Sequence, residues 1–214
     1  MATTTGSEAP AKRSRARRGD GERLREEILE AAEAILIATS DQAAVSIRAV
    51  AGRVGVTPPS IYLHFADRAD LLYAVADRHF VQLEQAMAQA AEGVDDPRQR
   101  LFRRGRAYLH YGLAHPEHYR LLMMARPDAT PERLRDERLA DTAGLVPVVG
   151  DLEAAVAGGA IADRPVLELA AALWMTVHGV VSMLITKPEF PFGDPDAVYE
   201  RLFDLVWSGL TAGG

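Results

Sequence analysis

The chain has 214 residues, a formal net charge of −6, 48% apolar residues and no cysteine. Its length suits one domain, or one domain with a small appendage, and is enough to bury a hydrophobic core. The absence of cysteine excludes disulfide scaffolds, thiolate zinc sites and cysteine nucleophiles. We expect no apolar run to approach the roughly 18 residues that span a bilayer, so the sequence predicts a soluble, unexported, cytoplasmic protein without membrane contact.

The negative charge is not spread evenly along the chain. Residues 1–78 contain 11 Lys/Arg and 11 Asp/Glu, so the remaining residues, with 13 and 19, carry the whole net charge of −6. Residues 42–65 contain Arg48, Arg53 and His64 and no carboxylate. A local basic surface can therefore form on an acidic protein, and the overall charge does not exclude nucleic acid as a partner.

Residues 1–20 are predicted to be a disordered basic arm. They contain no large apolar side chain after Met1, so they cannot offset the entropy of becoming ordered. Their basic cluster fits two roles, contact with a phosphate backbone or minor groove and a solubilising tail. The cluster consists of Lys12, Arg13, Arg15, Arg17 and Arg18.

The first predicted helix runs over residues 22–39. Its apolar residues recur at intervals of 4, 3 and 4, which places them on one buried stripe of an amphipathic helix. The residues of this stripe are Leu24, Ile28, Ala31 and Ile35.

A short helix, a tight turn and a second short helix follow. Ser46 is a good N-cap for the first of them, and Gly55 can supply the positive φ that ends it. Thr57 is predicted to cap the second, with Pro58 at the first helical position, where its missing N–H costs nothing. Two short helices joined in this way after a longer one are typical of a helix-turn-helix.

The rest of the chain predicts further helices and no strand. Asp67 and Asp70 resemble a capping box, although Asp replaces the usual Glu or Gln, and they open a helix over residues 67–90. The fold class is therefore all-α with about nine helices, as an N-terminal helix-turn-helix DNA-binding domain (21–66) and a C-terminal helical bundle (67–214). The inward positions predicted for the 67–90 helix are Leu72, Val75, His79, Leu83, Ala86 and Ala90. Later helices are predicted at 98–114, 116–124, 132–144, 147–157, 166–186 and 195–211.

The second helix of the pair carries short or aromatic hydrogen-bonding side chains where a structural helix usually carries long charged ones. No exposed position of residues 57–64 is acidic, which suits close approach to phosphates and base edges. The string from about Ile28 to Leu72 resembles the DNA-binding domain of the tetracycline-repressor (TetR) family of bacterial transcriptional regulators. The residues that carry this resemblance are Ser46, Arg48, Ala51, Gly55, Val56, Thr57, Tyr62, His64, Phe65 and Leu71.

The resemblance implies that the partner is a double-stranded DNA operator. It implies that Ser46 and Arg48 contact phosphates and that Tyr62 and His64 bond the DNA backbone. Arg68 stands where such regulators commonly carry a lysine, which keeps the charge of a phosphate contact and changes its geometry. Because the recognition helix offers no Arg, Asn or Gln, base readout is expected from hydroxyl contacts, methyl packing and DNA shape. The groove-facing start of that helix consists of Thr57, Pro58, Pro59 and Ser60.

Two C-terminal segments resemble a subgroup of the same family. Residues 110–124, HYGLAHPEHYRLLMM, are similar to a His-Pro-x-x-Tyr-Arg-Leu segment. Residues 172–184, ALWMTVHGVVSML, are similar to the Trp-x-x-x-His-Gly motif that names the subgroup's C-terminal domain. The resemblance implies that residues 67–214 bind a small-molecule effector, which the sequence does not identify, and form a homodimer.

The last two helices are the predicted dimer interface. The helix over residues 166–186 is apolar on two sides and therefore needs partners on both. Paired with the 195–211 helix and the same two helices of a second subunit, it predicts a four-helix bundle. A dimer can set two recognition helices about 35 Å apart and read both halves of a palindrome.

A ligand cavity is predicted among aromatic and methionine side chains of the C-terminal domain. Such residues at helical spacing also fit an ordinary core, and both readings stay open for each of them. Effector binding is expected to tilt the 67–90 helix and move the recognition helices out of register. The candidate ligand-binding residues are Phe102, Tyr108, Tyr111, Met123, Met124, Trp174, Met175 and His178.

Two other classes of function compete with a DNA-binding regulator. An enzyme or metal protein would use His110, His115 and His118. Apart from Glu117, however, no further metal ligand stands at a spacing typical of a metal site. We therefore expect these histidines to be structural, and we expect no catalytic residues, no metal and no cofactor. No nucleophile elbow or phosphate-binding glycine loop is present in the sequence. The remaining alternative is a helical protein-interaction bundle that does not bind DNA.

Overall fold

Helices make up the regular secondary structure of this protein wherever its structure is described. The computed structural model describes residues 20–124 and 144–211, and within these ranges it contains no strand. The all-α prediction is therefore confirmed. A 3-10 turn at Gln42–Ala44 precedes the second helix, and a π-helical turn at Arg120–Met124 follows the sixth. The nine helices of the described ranges are α1 (Asp20–Thr39), α2 (Ile47–Val54), α3 (Pro58–Tyr62), α4 (Arg68–Ala91), α5 (Pro97–Ala114), α6 (Pro116–Tyr119), α7 (Leu145–Ala157), α8 (Val166–Thr186) and α9 (Pro195–Thr211).

Two predictions fall on other parts of the chain. The basic cluster of the predicted arm lies outside the described residues, as does the helix predicted at 132–144 except for its last residue. The helix predicted at 116–124 divides into α6 and the π-helical turn. The remaining predicted helices coincide with observed ones to within about two residues at each end.

The caps of α2 and α3 are only partly as predicted. Ser46 accepts a hydrogen bond from the Ala49 N–H at 3.1 Å, and Gly55 ends α2 with φ of 78°, so both predictions are confirmed. Thr57 stands at the N-cap position of α3, but its Oγ1 lies 3.1 Å from the Ser60 Oγ and accepts from no backbone N–H. The predicted side-chain cap is wrong because Pro59 has no N–H and the Ser60 N–H already bonds the Thr57 carbonyl.

Two hydrophobic cores divide the described residues, and we call the two parts the head and the body. The head core lies among α1, α2, α3 and the first half of α4, and the body core lies among the second half of α4 and the helices that follow. Leu121 of the π-helical turn is an exception, because it follows α5 in the chain but is buried in the head core. Helix α4 and the π-helical turn therefore connect the two parts.

The buried face of α4 rotates along the helix. The fully buried positions after Leu83 are Met87 and Ala91, whereas the predicted inward residues Ala86 and Ala90 are only half-buried. Four residues exceed one full turn of an α-helix by about 40°. A stripe of buried residues spaced four apart therefore rotates by about 40° around the helix axis at each step. The rotation lets one continuous helix face the head at its start and the body at its end.

The start of α4 is held by two aspartates. Asp67 accepts from the Asp70 N–H at 2.8 Å, as predicted. The Asp70 carboxylate accepts from the Ala66 N–H at 2.8 Å. In a standard capping box it would accept from the N–H of the N-cap residue, which here is Asp67, one residue later. The capping box is thus present in a modified form.

Helix α5 is the central helix of the body, and two of its glycines allow close packing. It contacts α4, α6, α7, α8 and α9. A Cβ at Gly112 would lie 2.5 Å from the Val181 Cγ1 and 3.0 Å from the Tyr119 ring, and one at Gly105 would collide with the Tyr199 hydroxyl. Glycine at these positions therefore sets how closely α5 approaches α8 and α9.

Helix α8 corrects one expectation from the sequence. An 18-residue window of it has a mean hydropathy of 1.7, so it is long and apolar enough to cross a bilayer by length and composition alone. The expectation that no apolar run approaches this length is therefore wrong. Thr176, His178 and Ser182 interrupt the run, but the mean hydropathy of the window stays high in spite of them. Core helices of soluble proteins pass the same test, and α8 packs against α5, α7 and α9.

The substitution Gly112→Ala tests the close packing of α5. We expect it to lower the free energy of unfolding by about 1–3 kcal/mol, because a methyl group there overpacks the contact with Val181 and Tyr119. The measurement is urea unfolding followed by circular dichroism. Gly150→Ala is the control, since its Cβ would meet nothing within 4 Å and it should gain about 0.5–1 kcal/mol from helix propensity. Equal stabilities of the two variants would show that α5 and α8 can move apart freely.

Candidate nucleic-acid interface and cavity

The start of α3 presents a group of exposed side chains, which we call the recognition face. Thr57, Pro58 and Pro59 are exposed, and Ser60 is half-buried with its hydroxyl paired to Thr57. Tyr62, at the end of the same helix, is 55% exposed. The structure therefore brings together the residues that the sequence assigned to the DNA groove, in contact with solvent.

Two more predicted contacts lie at the start of α2. Arg48 is exposed in the first turn of this helix. Ser46 uses its oxygen to accept from Ala49, which leaves the hydroxyl hydrogen able to donate to another acceptor. The helix N-terminus also carries partial positive charge, so this end of α2 suits a phosphate oxygen.

Arg68 has a structural role that the sequence did not reveal. Its Nε donates to the Val45 carbonyl at 2.7 Å, and its Nη2 donates to the Gln42 carbonyl. The guanidinium therefore ties the start of α4 to the turn before α2. A lysine cannot make this forked contact, so the arginine suits the position for a reason other than DNA binding.

The charges around the recognition face favour an anion. Arg48 and Arg53 are both exposed on α2, and residues 42–65 contain no carboxylate. The flanking carboxylates are occupied as caps, because Asp41 accepts from the Ala43 N–H and Asp67 from the Asp70 N–H. This surface therefore differs in sign from the acidic chain as a whole.

A mostly apolar cavity lies in the body. Its volume, taken as the space open to the centre of a water molecule, is about 40 Å³. One water needs about 10–15 Å³ by the same measure, so the cavity holds a few waters and a larger ligand requires its walls to move. Its walls are formed by Met87, Leu101, Arg104, Gly105, Tyr108, Gly144, Leu145, Val148, Leu173, Trp174, Thr176, Val177, Tyr199 and Phe203.

The predicted ligand-binding residues are only partly brought together. Tyr108 and Trp174 line the cavity, and His178 lies behind Tyr108, with the Tyr108 hydroxyl 3.5 Å from its Nδ1. The other five do not line this cavity. Phe102 stacks on Tyr199, Tyr111 bonds His79, Met123 packs against the body core, and Met124 and Met175 are 39% and 59% exposed.

Hydroxyl groups and one indole form the polar part of the cavity region. The Tyr119 hydroxyl lies 2.6 Å from the His178 Nδ1 and 3.0 Å from the Tyr108 hydroxyl. Burial raises the pKa of Tyr108 to about 12 and lowers the pKa of His178, so both side chains are neutral at neutral pH, and Tyr119 shares a hydrogen bond with the neutral imidazole. The Trp174 Nε1 is buried and forms no hydrogen bond of good geometry, although it lies close enough to the Tyr108 hydroxyl to lower the pKa of that group. The cavity wall therefore carries one poorly satisfied hydrogen-bond donor.

The charged residue in the cavity wall is held by a buried carboxylate. Arg104 donates from Nε to one oxygen of Asp151 at 2.8 Å, and Arg100 donates from Nε to the other at 2.5 Å. Asp151 is buried. Its carboxylate accepts from two guanidiniums, so both hydrogen bonds are charge-assisted. Arg104 is thus turned toward Asp151, and the cavity lining stays predominantly apolar.

The histidines of the α5–α6 junction lie next to residues that sequence spacing did not indicate. The sequence considered His115 with His118, but the His118 ring stacks on His79 of α4, with centroids 3.5 Å apart. Glu33 of α1 lies against the same pair, with its Oε1 3.3 Å from the His79 Nε2. Their separation along the chain explains why the sequence analysis missed this group, and the inward position of His79 in the 67–90 stripe was the only signal.

Two family models match the chain. The model described as bacterial regulatory proteins, tetR family, matches residues 28–75, which contain the recognition face. The model described as tetracyclin repressor-like, C-terminal domain, matches residues 101–206, which contain most of α5, all of α6 to α8 where described, and most of α9. Together they cover well over half of the sequence.

Individual proteins are similar to the chain over most of its length. The HTH-type transcriptional activator FasR of Mycolicibacterium smegmatis is 26% identical over 167 residues, which are 76% of this chain and 72% of that protein. A solved structure of a protein with unknown function from Rhodococcus sp. RHA1 is 28% identical, with a TM-score of 0.75 and coverage of 88% of this chain and 95% of that chain. A TetR family transcription regulator from Marinobacter aquaeolei VT8 has a TM-score of 0.64, covers 90% and 97% of the two chains and, at 19% identity, shows the shared fold.

Proposed function

Because the chain belongs to the TetR family of bacterial transcription regulators, we propose that it is a cytoplasmic, ligand-responsive repressor that binds a palindromic operator as a homodimer. Residues 21–66 read the operator, and residues 67–214 bind the effector and dimerise. The observation that carries the proposal is the exposed recognition face on a surface without carboxylates between residues 42 and 65.

The proposed contacts divide into two kinds. Ser46, Arg48, Tyr62, His64 and Arg68 approach phosphates, which positions the head without reading sequence. The start of α3 enters the major groove, where the paired hydroxyls of Thr57 and Ser60 offer donors and acceptors to base edges and the two prolines offer apolar surface. Arg68 contributes mainly by holding the turn before α2, since two of its nitrogens already donate to carbonyls.

The substitution Arg48→Gln tests the DNA-binding role of the head. We expect it to weaken binding to all DNA sequences and to reduce the slope of log K against log salt by about 1, because one phosphate contact is lost. The measurement is a salt titration by fluorescence anisotropy with DNA flanking the protein's own gene, against random DNA. The control is Arg103→Gln, which removes an exposed arginine of α5 and should leave the slope unchanged. Absence of DNA binding by the unmodified protein at low salt would favour the protein-interaction bundle instead.

The dimer interface is proposed on α8 and α9. Along α8, Leu167, Ala171, Met175, Gly179 and Met183 follow each other at four-residue intervals, alternating large and small side chains in one ridge. The three large ones are 45–66% exposed in the single chain. Only 28% of the apolar window of α8 is buried there, which agrees with this exposure. Leu205 of α9 is 70% exposed. A second subunit that covers this face removes apolar surface from water.

The substitution Met175→Glu tests this interface. We expect the variant to sediment as a monomer and to lose most of its operator affinity, because a carboxylate would be buried without a partner in the interface. Analytical ultracentrifugation and anisotropy give the two readouts. Ile37→Glu is the matched control, since Ile37 is similarly exposed at 56% but lies on α1. A dimer that persists in the Met175 variant would rule out this face of α8.

The effector site is proposed at the cavity between α4, α5, α7, α8 and α9. Its walls favour an apolar ligand, and the poorly satisfied Trp174 N–H favours one with a single acceptor such as a carbonyl or carboxylate oxygen. Met87 of α4 lines the cavity, so a ligand that widens it displaces the second half of α4, whose first half belongs to the head core. Such a ligand lowers operator affinity only by binding the displaced state more tightly.

The substitution Trp174→Phe tests the cavity. Using a series of apolar carboxylic acids as probes, we expect those that raise the melting temperature to bind the variant at least about tenfold more weakly, because it lacks the indole donor. The measurement is thermal shift followed by calorimetry. Trp207→Phe is the control, since Trp207 is buried in α9 outside the cavity wall. Equal affinities for the two variants would place the binding site elsewhere.

Two finer assignments belong to the same proposal. The sequence Trp174, His178 and Gly179 supports membership of the subgroup with the Trp-x-x-x-His-Gly domain, since the first two residues lie in and behind the cavity wall. Repression is proposed from the family resemblance, whereas the relative FasR is described as an activator. A reporter gene placed behind the operator distinguishes a repressor from an activator. If the protein is a repressor, deleting its gene raises expression of the reporter.

A further inference from the structure

Three potential metal ligands meet where the head contacts the body. They are Glu33 of α1, His79 of α4 and His118 of α6, and one ligand atom from each lies within 4.8 Å of the other two. His79 and His118 are only 6% and 5% exposed, and the Nε2 atom of each is buried without a hydrogen-bond partner. Buried polar atoms nearly always have partners, so two orphaned nitrogens at one point require an explanation.

The hydrogen bonds around His79 orient its ring toward Glu33. The His79 Nδ1 lies 2.8 Å from the Tyr111 hydroxyl, which also donates to the Gln82 Oε1 at 3.3 Å. The His79 Nε2 faces the Glu33 Oε1 at 3.3 Å, an ion-pair distance without the geometry of a hydrogen bond. The Glu33 carboxylate therefore stabilises a positive charge at this point.

His118 brings a second buried ring nitrogen to the same point. Its ring stacks on that of His79 with centroids 3.5 Å apart, and its Nε2 is buried without a hydrogen-bond partner. Arg78 compensates part of the Glu33 charge, with its Nη1 3.3 Å from Oε1. A carboxylate and two buried imidazoles therefore converge without a well-formed hydrogen bond among them.

We propose that Glu33, His79 and His118 bind one divalent first-row transition-metal ion, with Zn²⁺ as the representative case. Two imidazoles and a carboxylate suit such an ion and do not suit Mg²⁺ or Ca²⁺, which prefer oxygen ligands. Tyr111 takes the outer role that metal-binding histidines need, because its hydroxyl bonds the Nδ1 of His79 and aims the Nε2 of that ring. His115, half-buried with its ring 6.0 Å from both other rings, is placed to supply a fourth ligand.

Metal binding at this point restrains the head against the body. Ligand atoms on a tetrahedral Zn²⁺ ion lie about 3.3 Å apart, so atoms now separated by up to 4.8 Å must approach each other and the stacked rings must turn. The three ligands come from α1, α4 and α6, so the ion draws the first helix of the head toward the head–body junction. The effect on operator affinity rests on the proposed DNA-binding function, whereas the metal site does not.

The test uses the full chain, stripped with a chelator and titrated with Co²⁺ and Zn²⁺ alone. We expect saturable one-to-one binding by calorimetry and a Co²⁺ absorption band typical of nitrogen and oxygen ligands, with no comparable binding of Mg²⁺. Tyr111→Phe should lower Zn²⁺ affinity about 10–100-fold, and His79→Asn and His118→Asn should lower it by more. Glu33→Gln keeps the side-chain shape and should also lose affinity. His110→Asn is the control, because His110 is 51% exposed and pairs with Asp196 outside the cluster.

The outcomes separate the site from its effect on DNA. Weak, non-saturable binding, or binding that the His79 and His118 variants retain while circular dichroism shows them folded, overturns the metal site. If Zn²⁺ binds as expected and changes operator affinity in the unmodified protein but not in Glu33→Gln, the whole proposal is supported. Metal binding without any change in operator affinity overturns the coupling. If the protein binds no DNA at all, the Co²⁺ spectrum still decides the metal site.

Discussion

Helix α4 is buried in two different hydrophobic cores, and the relation between head and body depends on this one constraint. Its 24 residues span about 36 Å, with Leu71 and Val75 in the head core and Leu83 and Met87 in the body core. Because a packed helix resists bending, a displacement of its second half is passed to the first. The proposed cavity contacts α4 at Met87, and the proposed metal site contacts it at His79, between the two cores.

The body encloses polar groups without becoming a polar core. Asp151 satisfies Arg100 and Arg104 at once, and Tyr108, Tyr119 and His178 bond one another as neutral groups. Gly105 and Gly112 let α5 come close enough to its neighbours for these contacts to form. In the part of the chain that the structure describes, the buried side-chain atoms without a hydrogen bond are the Trp174 Nε1 and the Nε2 atoms of His79 and His118. Poorly satisfied buried polar atoms cost free energy, so the cavity and the junction are natural places for a ligand.

The recognition face shows how an acidic protein can offer a surface to DNA. Its charge is set by residues 42–65, which lack carboxylates, and the flanking Asp41 and Asp67 are occupied as helix caps. The acidic residues in excess lie in the body sequence, away from this surface along the chain. Local charge acts most strongly within about a Debye length of 8–10 Å, so the face determines the approach of a phosphate more than the net charge does.

The sequence by itself determined the helices, the all-α class, the caps at Ser46, Gly55 and Asp67, and the exposed candidates on α2 and α3. These features depend on neighbours within a few residues, which caps and helical periodicity report directly. Thr57 occupies the predicted N-cap position without a side-chain cap bond, because Pro59 has no N–H and the Ser60 N–H bonds the Thr57 carbonyl. The α4 stripe shifted because the helix turns from one core to another. Only the tertiary structure decided that Arg68 holds the turn before α2, that two of the eight predicted cavity residues line the cavity, and that Glu33, His79 and His118 meet. These contacts join residues 23 to 85 positions apart, and no local pattern records which helix faces will pack together.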